Sequence, residues 1–258
     1  KEGRGCNVEH QNKRRAIPGR PGRHKVLYFC GLAYTLCLFS ILGISMDLNN
    51  KTGAEDSGQL KEAVDFVDSS VVREAPRIAL TFDDGPNAQC TGRLLDGLKK
   101  RGVKATFFLI GMNAKDNPDL VKRIYEEGHL IGNHTYHHVD ITKKSDEEAR
   151  KEIEDTDKVI SSVTGEHVEY MRPPFGVWQK NLELEMDVMP VMWSVDPLDW
   201  TTENTDEIVN KVVTETEEND IILLHDCYES SVDAALRIVD ILQKKGFEFV
   251  TADKLIME

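Results

Sequence analysis

From Pro76 to the C-terminus the sequence predicts an α/β fold built on a parallel sheet, and three observations carry that prediction. Short apolar runs alternate with amphipathic helical patterns over about 180 residues. The helical patterns open and close on recognisable capping residues. Clusters of polar, chemistry-bearing residues fall directly after the apolar runs, on what would be the C-terminal rim of the sheet, where α/β barrels place their active sites.

Taken in order, strands are expected at Arg77–Phe82, Ala105–Ile110, His129–Gly132, Val168–Arg172, Val188–Val195, Ile221–Leu224 and Phe247–Thr251. The first is followed by a helix lined by Leu94, Leu95 and Leu98 and stopped by Gly102. Asn117-Pro118 starts another, with Leu120, Val121, Ile124 and Tyr125 apolar and Gly128 as its stop. Ser145 and Glu148 form a capping box ahead of a helix running toward Gly165. Ala235, Ile238, Val239 and Leu242 make an i, i+3, i+4, i+7 stripe closed by Gly246. There is no internal repeat.

The first 75 residues read differently. Through Lys25 there are eight Lys/Arg against Glu2 and Glu9, a +6 segment, which leaves −19 on the rest of a 258-residue chain of net charge −13. An acidic main body argues against a nucleic-acid partner. Val26 to Met46 carries no charge and is long enough to cross a bilayer of about 30 Å as a helix. The basic flank puts the N-terminus in the cytoplasm and the remainder outside. The expectation is therefore a basic segment 1–25, a transmembrane signal-anchor 26–46, a linker 47–75 and a catalytic domain 76–258, single-pass in the cell membrane; secretion after cleavage is the alternative. Cys90 and Cys227, each just after a polar motif, are a candidate disulfide pair outside the cell.

Five polar clusters sit on the rim. Thr81-Phe82-Asp83-Asp84-Gly85-Pro86 ends a strand in two adjacent carboxylates and a turn; alone it reads equally as a solvated turn. Paired carboxylates repel unless a cation sits between them or one holds a proton. In His134-Thr135-Tyr136-His137-His138, one turn of helix would put His134 and His138 on the same face, with His137 pointing away. With one carboxylate of Asp83-Asp84 they make His₂Asp, three ligands and an open position, the pattern of a catalytic metal site. Arg172-Pro173-Pro174-Phe175-Gly176 offers either a surface Arg or a carboxylate clamp. Asp196-Pro197-Leu198-Asp199-Trp200 offers two acids beside a Trp that is either core or a sugar platform. Leu223-Leu224-His225-Asp226 delivers a His at a strand exit, a structural residue or an acid–base group.

In this order the five motifs, Thr81-Phe82-Asp83-Asp84-Gly85-Pro86, His134-Thr135-x-x-His138, Arg172-x-Pro174-Phe175, Asp196-x-x-Asp199-Trp200 and Leu223-x-His225, resemble those of the polysaccharide deacetylase (NodB-homology, carbohydrate esterase) family, from about Arg77 to the C-terminus. The resemblance implies a distorted (β/α) barrel of about seven parallel strands and one divalent metal ion, usually zinc, with cobalt or another divalent ion as substitutes. It also implies removal of acetyl groups from N-acetylglucosamine units of peptidoglycan, chitin or related glycans. Carried over by position, Asp84, His134 and His138 would bind the metal, Asp83 would be the general base oriented by Arg172, and His225 the general acid tuned by Asp199. Phe175 would lend a backbone N–H to the oxyanion, and Trp200 and Leu223 would line the acetyl pocket. The family often has Tyr at the position of Phe175, a change to which a backbone donor is indifferent, and Pro where this chain has Val139.

The expected protein is thus a monomeric, membrane-anchored, metal-dependent N-deacetylase with an acetylated cell-wall glycan, peptidoglycan before chitin, as its substrate. An O-acetyl esterase of the xylan type uses the same nucleophile and needs less help from His225. A catalytically silent glycan-binding protein on the same fold would show a damaged constellation, and every motif here is intact.

Overall fold

The computed structural model describes residues 74–178 and 187–256. The expected basic segment and membrane span lie outside these residues, as does nearly all of the linker. Among the described residues no helix is long and apolar enough to cross a membrane.

Seven parallel strands form one sheet: β1 (Arg77–Asp83), β2 (Thr106–Leu109), β3 (Leu130–Asn133), β4 (Tyr170–Met171), β5 (Met189–Pro190), β6 (Ile221–His225) and β7 (Glu248–Val250). Their order is β5-β4-β3-β2-β1-β6, with β7 also paired to β1. The long strand expected at Val188–Val195 breaks in two. Its start, β5, pairs with β4, and its end reaches the far side of the sheet, where Val195 bridges Ile222 and accepts a hydrogen bond from the Leu223 N–H at 2.9 Å. This irregular segment brings the two edges of the sheet together, and the result is a distorted barrel.

The helices follow the strands on the outside: α1 (Thr91–Arg101), α2 (Gly111–Asp116), α3 (Pro118–Glu126), α4 (Asp146–Thr164), α5 (Thr205–Glu215), α6 (Glu229–Lys244) and α7 (Asp253–Ile256). The expected punctuation holds. Gly102 and Gly165 close α1 and α4 in the left-handed conformation, and the Ser145/Glu148 capping box opens α4. On α3, Val121 and Ile124 are buried, whereas Tyr125 is exposed. Three helices, α2, α5 and the four-residue α7, have no counterpart in the sequence expectation.

The period-2 alternation of β1 divides its side chains between two environments. Ile78, Leu80 and Phe82 join the main core beneath the helices, with Leu94, Leu98, Phe107, Leu224 and Ile238. Ala79 faces inward with Phe108, Tyr170 and Val191. Thr81 and Asp83 share its inward side and meet Arg172 there. On β6, Ile222 and Leu224 belong to the outer core, so Leu223 and His225 take the inner face. Cys90 and Cys227 are both buried free thiols, so the candidate disulfide is not formed. Cys90 instead lies 3.5 Å from a Glu229 carboxylate oxygen, which together with burial pushes its pKa up to about 12.

Candidate active site

The inward face of β1 supplies one side of the site. Asp83 is the last residue of the strand, and its Oδ1 accepts from Arg172 Nη1 at 2.7 Å. Arg172 follows β4, is fully buried, and donates also to Thr81 Oγ1 at 2.8 Å and to the Val191 and Met192 carbonyls at 3.1 and 3.3 Å. Its guanidinium lies 4.2 Å from the Phe108 ring centroid and 5.5 Å from that of Trp193. Burial pulls its pKa below the ordinary value, and the adjoining Asp83 carboxylate opposes that pull. Of its two sequence readings, surface Arg and carboxylate clamp, the clamp is the one realised.

One residue on, the chain turns. Asp84 adopts φ +73°, a left-handed backbone that a non-glycine residue holds only when its surroundings fix it, and this redirects its carboxylate into the site beside Asp83. The Asp84 carbonyl accepts from Asn113 Nδ2 at 2.7 Å and the Gly85 carbonyl from the Ile110 N–H at 3.0 Å. Asp84 Oδ1 stands 3.4 Å from His134 Nε2 and 3.3 Å from His138 Nε2.

The two histidines meet here, though not on a turn of helix. The segment after β3 is irregular, with Thr135 at φ +61° and His138 at φ +53°; the Asn133 side chain accepts from the Thr135 N–H at 2.9 Å and donates to the Ile153 carbonyl at 2.8 Å. A spacing of four works because two left-handed residues fold the loop back. His134 donates from Nδ1 to the Arg172 carbonyl at 2.6 Å, which fixes the ring with Nε2 turned toward Asp84. His137 points away to Glu152, as expected.

Asp84, His134 and His138 are all buried and their nearest ligand atoms lie within 4.8 Å of one another. Metal–ligand bonds of about 2.0–2.1 Å at tetrahedral angles put neighbouring donor atoms about 3.3–3.5 Å apart. The 3.3 and 3.4 Å separations around Asp84 fit a metal ion of that kind, and one carboxylate with two imidazoles is a suitable donor set. The electrostatics agree. Burial alone would raise Asp84, yet the hydrogen bond with His134 and the charges of His225, His138 and His134 hold it well below the usual carboxylate range. His134 is raised despite its burial, chiefly by Asp83. Both shifts express one demand, that positive charge sit among these carboxylates.

The opposite side comes from β6 and the turn at Asp199–Thr201. His225 lies opposite Asp83 in the parallel register. Asp199 receives it twice, Oδ2 from the backbone N–H at 2.9 Å and Oδ1 from Nδ1 at 2.8 Å. Burial would lower the imidazole, but Asp199, with help from Asp84 and Asp83, pushes it up to about 10. These carboxylates favour the protonated, charged form of the ring.

Phe175, at φ +61°, stands half exposed at the mouth with its ring edge-on to His138 at 4.9 Å. Leu223 shares the inner face of β6 with His225, and Trp200 is half-buried next to Asp199. Sequence reasoning gave no role to Thr81, Phe108, Asn113 and Trp193, which support the site, nor to Asp226. Asp226 is fully buried, and burial pushes its carboxyl up to about 7.

The parallel (β/α) barrel with this cluster at its C-terminal rim can be set beside known proteins. Residues 71–191 match the polysaccharide deacetylase family model. The chain is 40% identical over 182 residues to a peptidoglycan-N-acetylglucosamine deacetylase of Listeria monocytogenes, covering 70% of this chain and 39% of that protein. It is 38% identical to a chitooligosaccharide deacetylase of Rhizobium leguminosarum, covering 66% of this chain and 87% of that one. The structure of the peptidoglycan deacetylase PdaC from Bacillus subtilis superposes with a TM-score of 0.67 at 39% identity, over 70% of this chain and 90% of that one. The chain belongs to the polysaccharide deacetylase family. It spans about two fifths of the Listeria relative's length.

Proposed function

We propose that this protein hydrolyses acetamido groups on N-acetylglucosamine residues of a cell-wall polysaccharide, with peptidoglycan as the first candidate and chitin-type oligomers second. One observation carries the reading: the Asp84–His134–His138 cluster is flanked by an Arg172-held carboxylate on one side and an Asp199-held imidazolium on the other. The relatives named for peptidoglycan and chitooligosaccharide support the substrate class.

Asp84, His134 and His138 would hold one divalent ion, zinc by preference, which supplies Lewis acidity and brings the pKa of a water from 15.7 to about 7. Asp83, its position set by Arg172, takes the proton of the attacking water as its oxygen adds to the acetamide carbon. The backbone N–H of Phe175 donates to the developing oxyanion. His225 gives its Nε2 proton to the departing amine nitrogen, and the C–N bond breaks to acetate and free glucosamine amine. Trp200 and Leu223 close the acetyl pocket and keep water from the methyl group. A membrane anchor over residues 26–46 belongs to the same reading and rests on the charge-free run alone.

The test is acetate release by the zinc-loaded chain from peptidoglycan, chitin oligomers and a chromogenic acetyl ester, with and without chelator. Chelator-sensitive release from a glycan is the expected result. No release from any of the three would overturn the proposal.

A further inference from the structure

Asp226 lies outside every role given above, yet it is fully buried and touches the turn that carries Asp84. A Cβ built on Gly85 would stand 2.4 Å from Asp226 Oδ1 and 2.5 Å from Oδ2, so the carboxyl group lies flat against the glycine Cα. Real Cβ atoms do not approach that closely. No positive φ is needed at Gly85; the three nearest atoms to that Cβ all belong to the Asp226 side chain, and this close approach is what calls for glycine. Asp226 Oδ2 accepts from Thr91 Oγ1 at 2.5 Å, and Thr91 Oγ1 accepts in turn from the Asn87 N–H at 2.7 Å. Oδ1 has no hydrogen-bond partner among the described residues, so it faces the turn without being consumed by another contact.

The Asp84–Asn87 turn is thus gripped from two directions. From α2 and the residue before it, Asn113 and Ile110 hold the carbonyls of Asp84 and Gly85. From the exit of β6, Asp226 presses on Gly85 and, through Thr91, ties Asn87. Left-handed backbone at a non-glycine residue is strained and persists only when neighbours over-determine it. We infer that Asp226 is a positioning residue for the metal ligand Asp84: with Thr91 it buttresses the Gly85 turn and keeps Asp84 in the left-handed conformation that aims its carboxylate at His134 and His138. This rests on the reading of Asp84 as a ligand. It also gives His225 and Asp84 a common support, because Asp226 directly follows His225 on β6.

The contact makes a double-mutant cycle decisive. In the full chain, zinc affinity is measured by chelator competition for wild type, Gly85→Ala, Asp226→Ala and the double variant, with far-UV circular dichroism of the metal-free proteins to establish that each is folded. Gly85→Ala is expected to weaken zinc by about 10–100-fold, the usual cost of losing a ligand's outer support. Asp226→Ala removes the buttress and weakens zinc as well. The double variant exchanges the carboxyl for the added methyl and binds zinc more tightly than Gly85→Ala alone. Asp226→Asn, which keeps the shape and the Thr91 bond, stays close to wild type and serves the cycle if either alanine variant fails to fold. Additive losses in the double variant, or Asp226→Asn as weak as Asp226→Ala, would overturn the inference while leaving Asp84 a ligand. Wild type that binds no zinc would overturn the ligand reading itself and the inference with it.

Discussion

The two halves of the site solve the same problem with different materials. On the base side, Asp83 is paired with Arg172 inside the barrel, and both sit in or next to strands whose register fixes them. On the acid side, His225 is likewise delivered by a strand, but its partner Asp199 arrives from a short turn that opens on Leu198 at φ +59°. The base pair is part of the core, and Arg172 has no exposed surface and five neighbours, Thr81, Val191, Met192, Phe108 and Trp193, besides Asp83. The acid pair is buried too, but the Asp199 carboxylate is spent on one residue, the ring and backbone N–H of His225. Disturbing the first should therefore damage fold and rate together, and disturbing the second should act mainly on rate, with a smaller, pH-dependent effect on stability.

The largest effect is expected at Arg172. Arg172→Met leaves the Asp83 carboxylate buried without its counter-charge, which costs about 3–5 kcal/mol. Urea unfolding should show the midpoint falling accordingly, with acetate release abolished. An unchanged midpoint would remove the distinction between the two halves. His225→Ala is the complementary break. The backbone N–H of residue 225 still reaches Asp199, so the folded state keeps part of that contact, while loss of the acid should slow amide hydrolysis by about 10²–10⁴. An acetyl ester, whose leaving group needs less protonation, should lose less. Parallel kinetics on an N-acetylglucosamine oligomer and a chromogenic ester check this, and equal losses on both would remove His225 from the acid role.

The same contrast decides what the sequence could reveal. Arg77–Asp83 and Ile221–His225 were legible because apolar runs ending in polar residues are local signals, and strand register then brings Asp83 and His225 side by side. The spacing of His134 and His138 was legible as a pair but not as a shape, since no local pattern announces left-handed residues at Thr135 and His138. Val188–Val195 reads as one strand because it is largely apolar despite Pro190 and Ser194; that its two ends join opposite edges of the sheet is a tertiary fact. The six residues of α2 are too few for periodicity to mark. By contrast α5 carried a signal that went unread, with Ile208, Val209 and Val212 on one face and Asn204 capping Asp206 and Glu207. Asp226 was invisible for a different reason, because its partners Gly85 and Thr91 are more than a hundred residues away in sequence.

The smallest expected effect sharpens the comparison most, because it separates the tuning of the acid from its presence. Asp199 is the main influence opposing burial at His225 and, with lesser help from Asp84 and Asp83, brings the imidazole to about 10. Replacing it by Asn keeps an acceptor oxygen for Nδ1 and removes the charge. The His225 pKa must then fall, so the alkaline limb of the rate profile, where the acid loses its proton, moves toward neutral pH. The stability linkage has the same sign. A folded-state pKa raised above the ordinary 6.5 contributes stability that is fully present below that value and is lost as pH rises through about 10. In Asp199→Asn that contribution shrinks and its loss moves to lower pH, so from this source variant and wild type should differ most at pH values below about 6 and little above about 10. Rate against pH from 6 to 11, with urea midpoints over the same range, measures both. An alkaline limb that stays in place in Asp199→Asn would mean that the tuning charge lies with Asp83 and Asp84, and the acid half would then be an extension of the base half and not its counterpart.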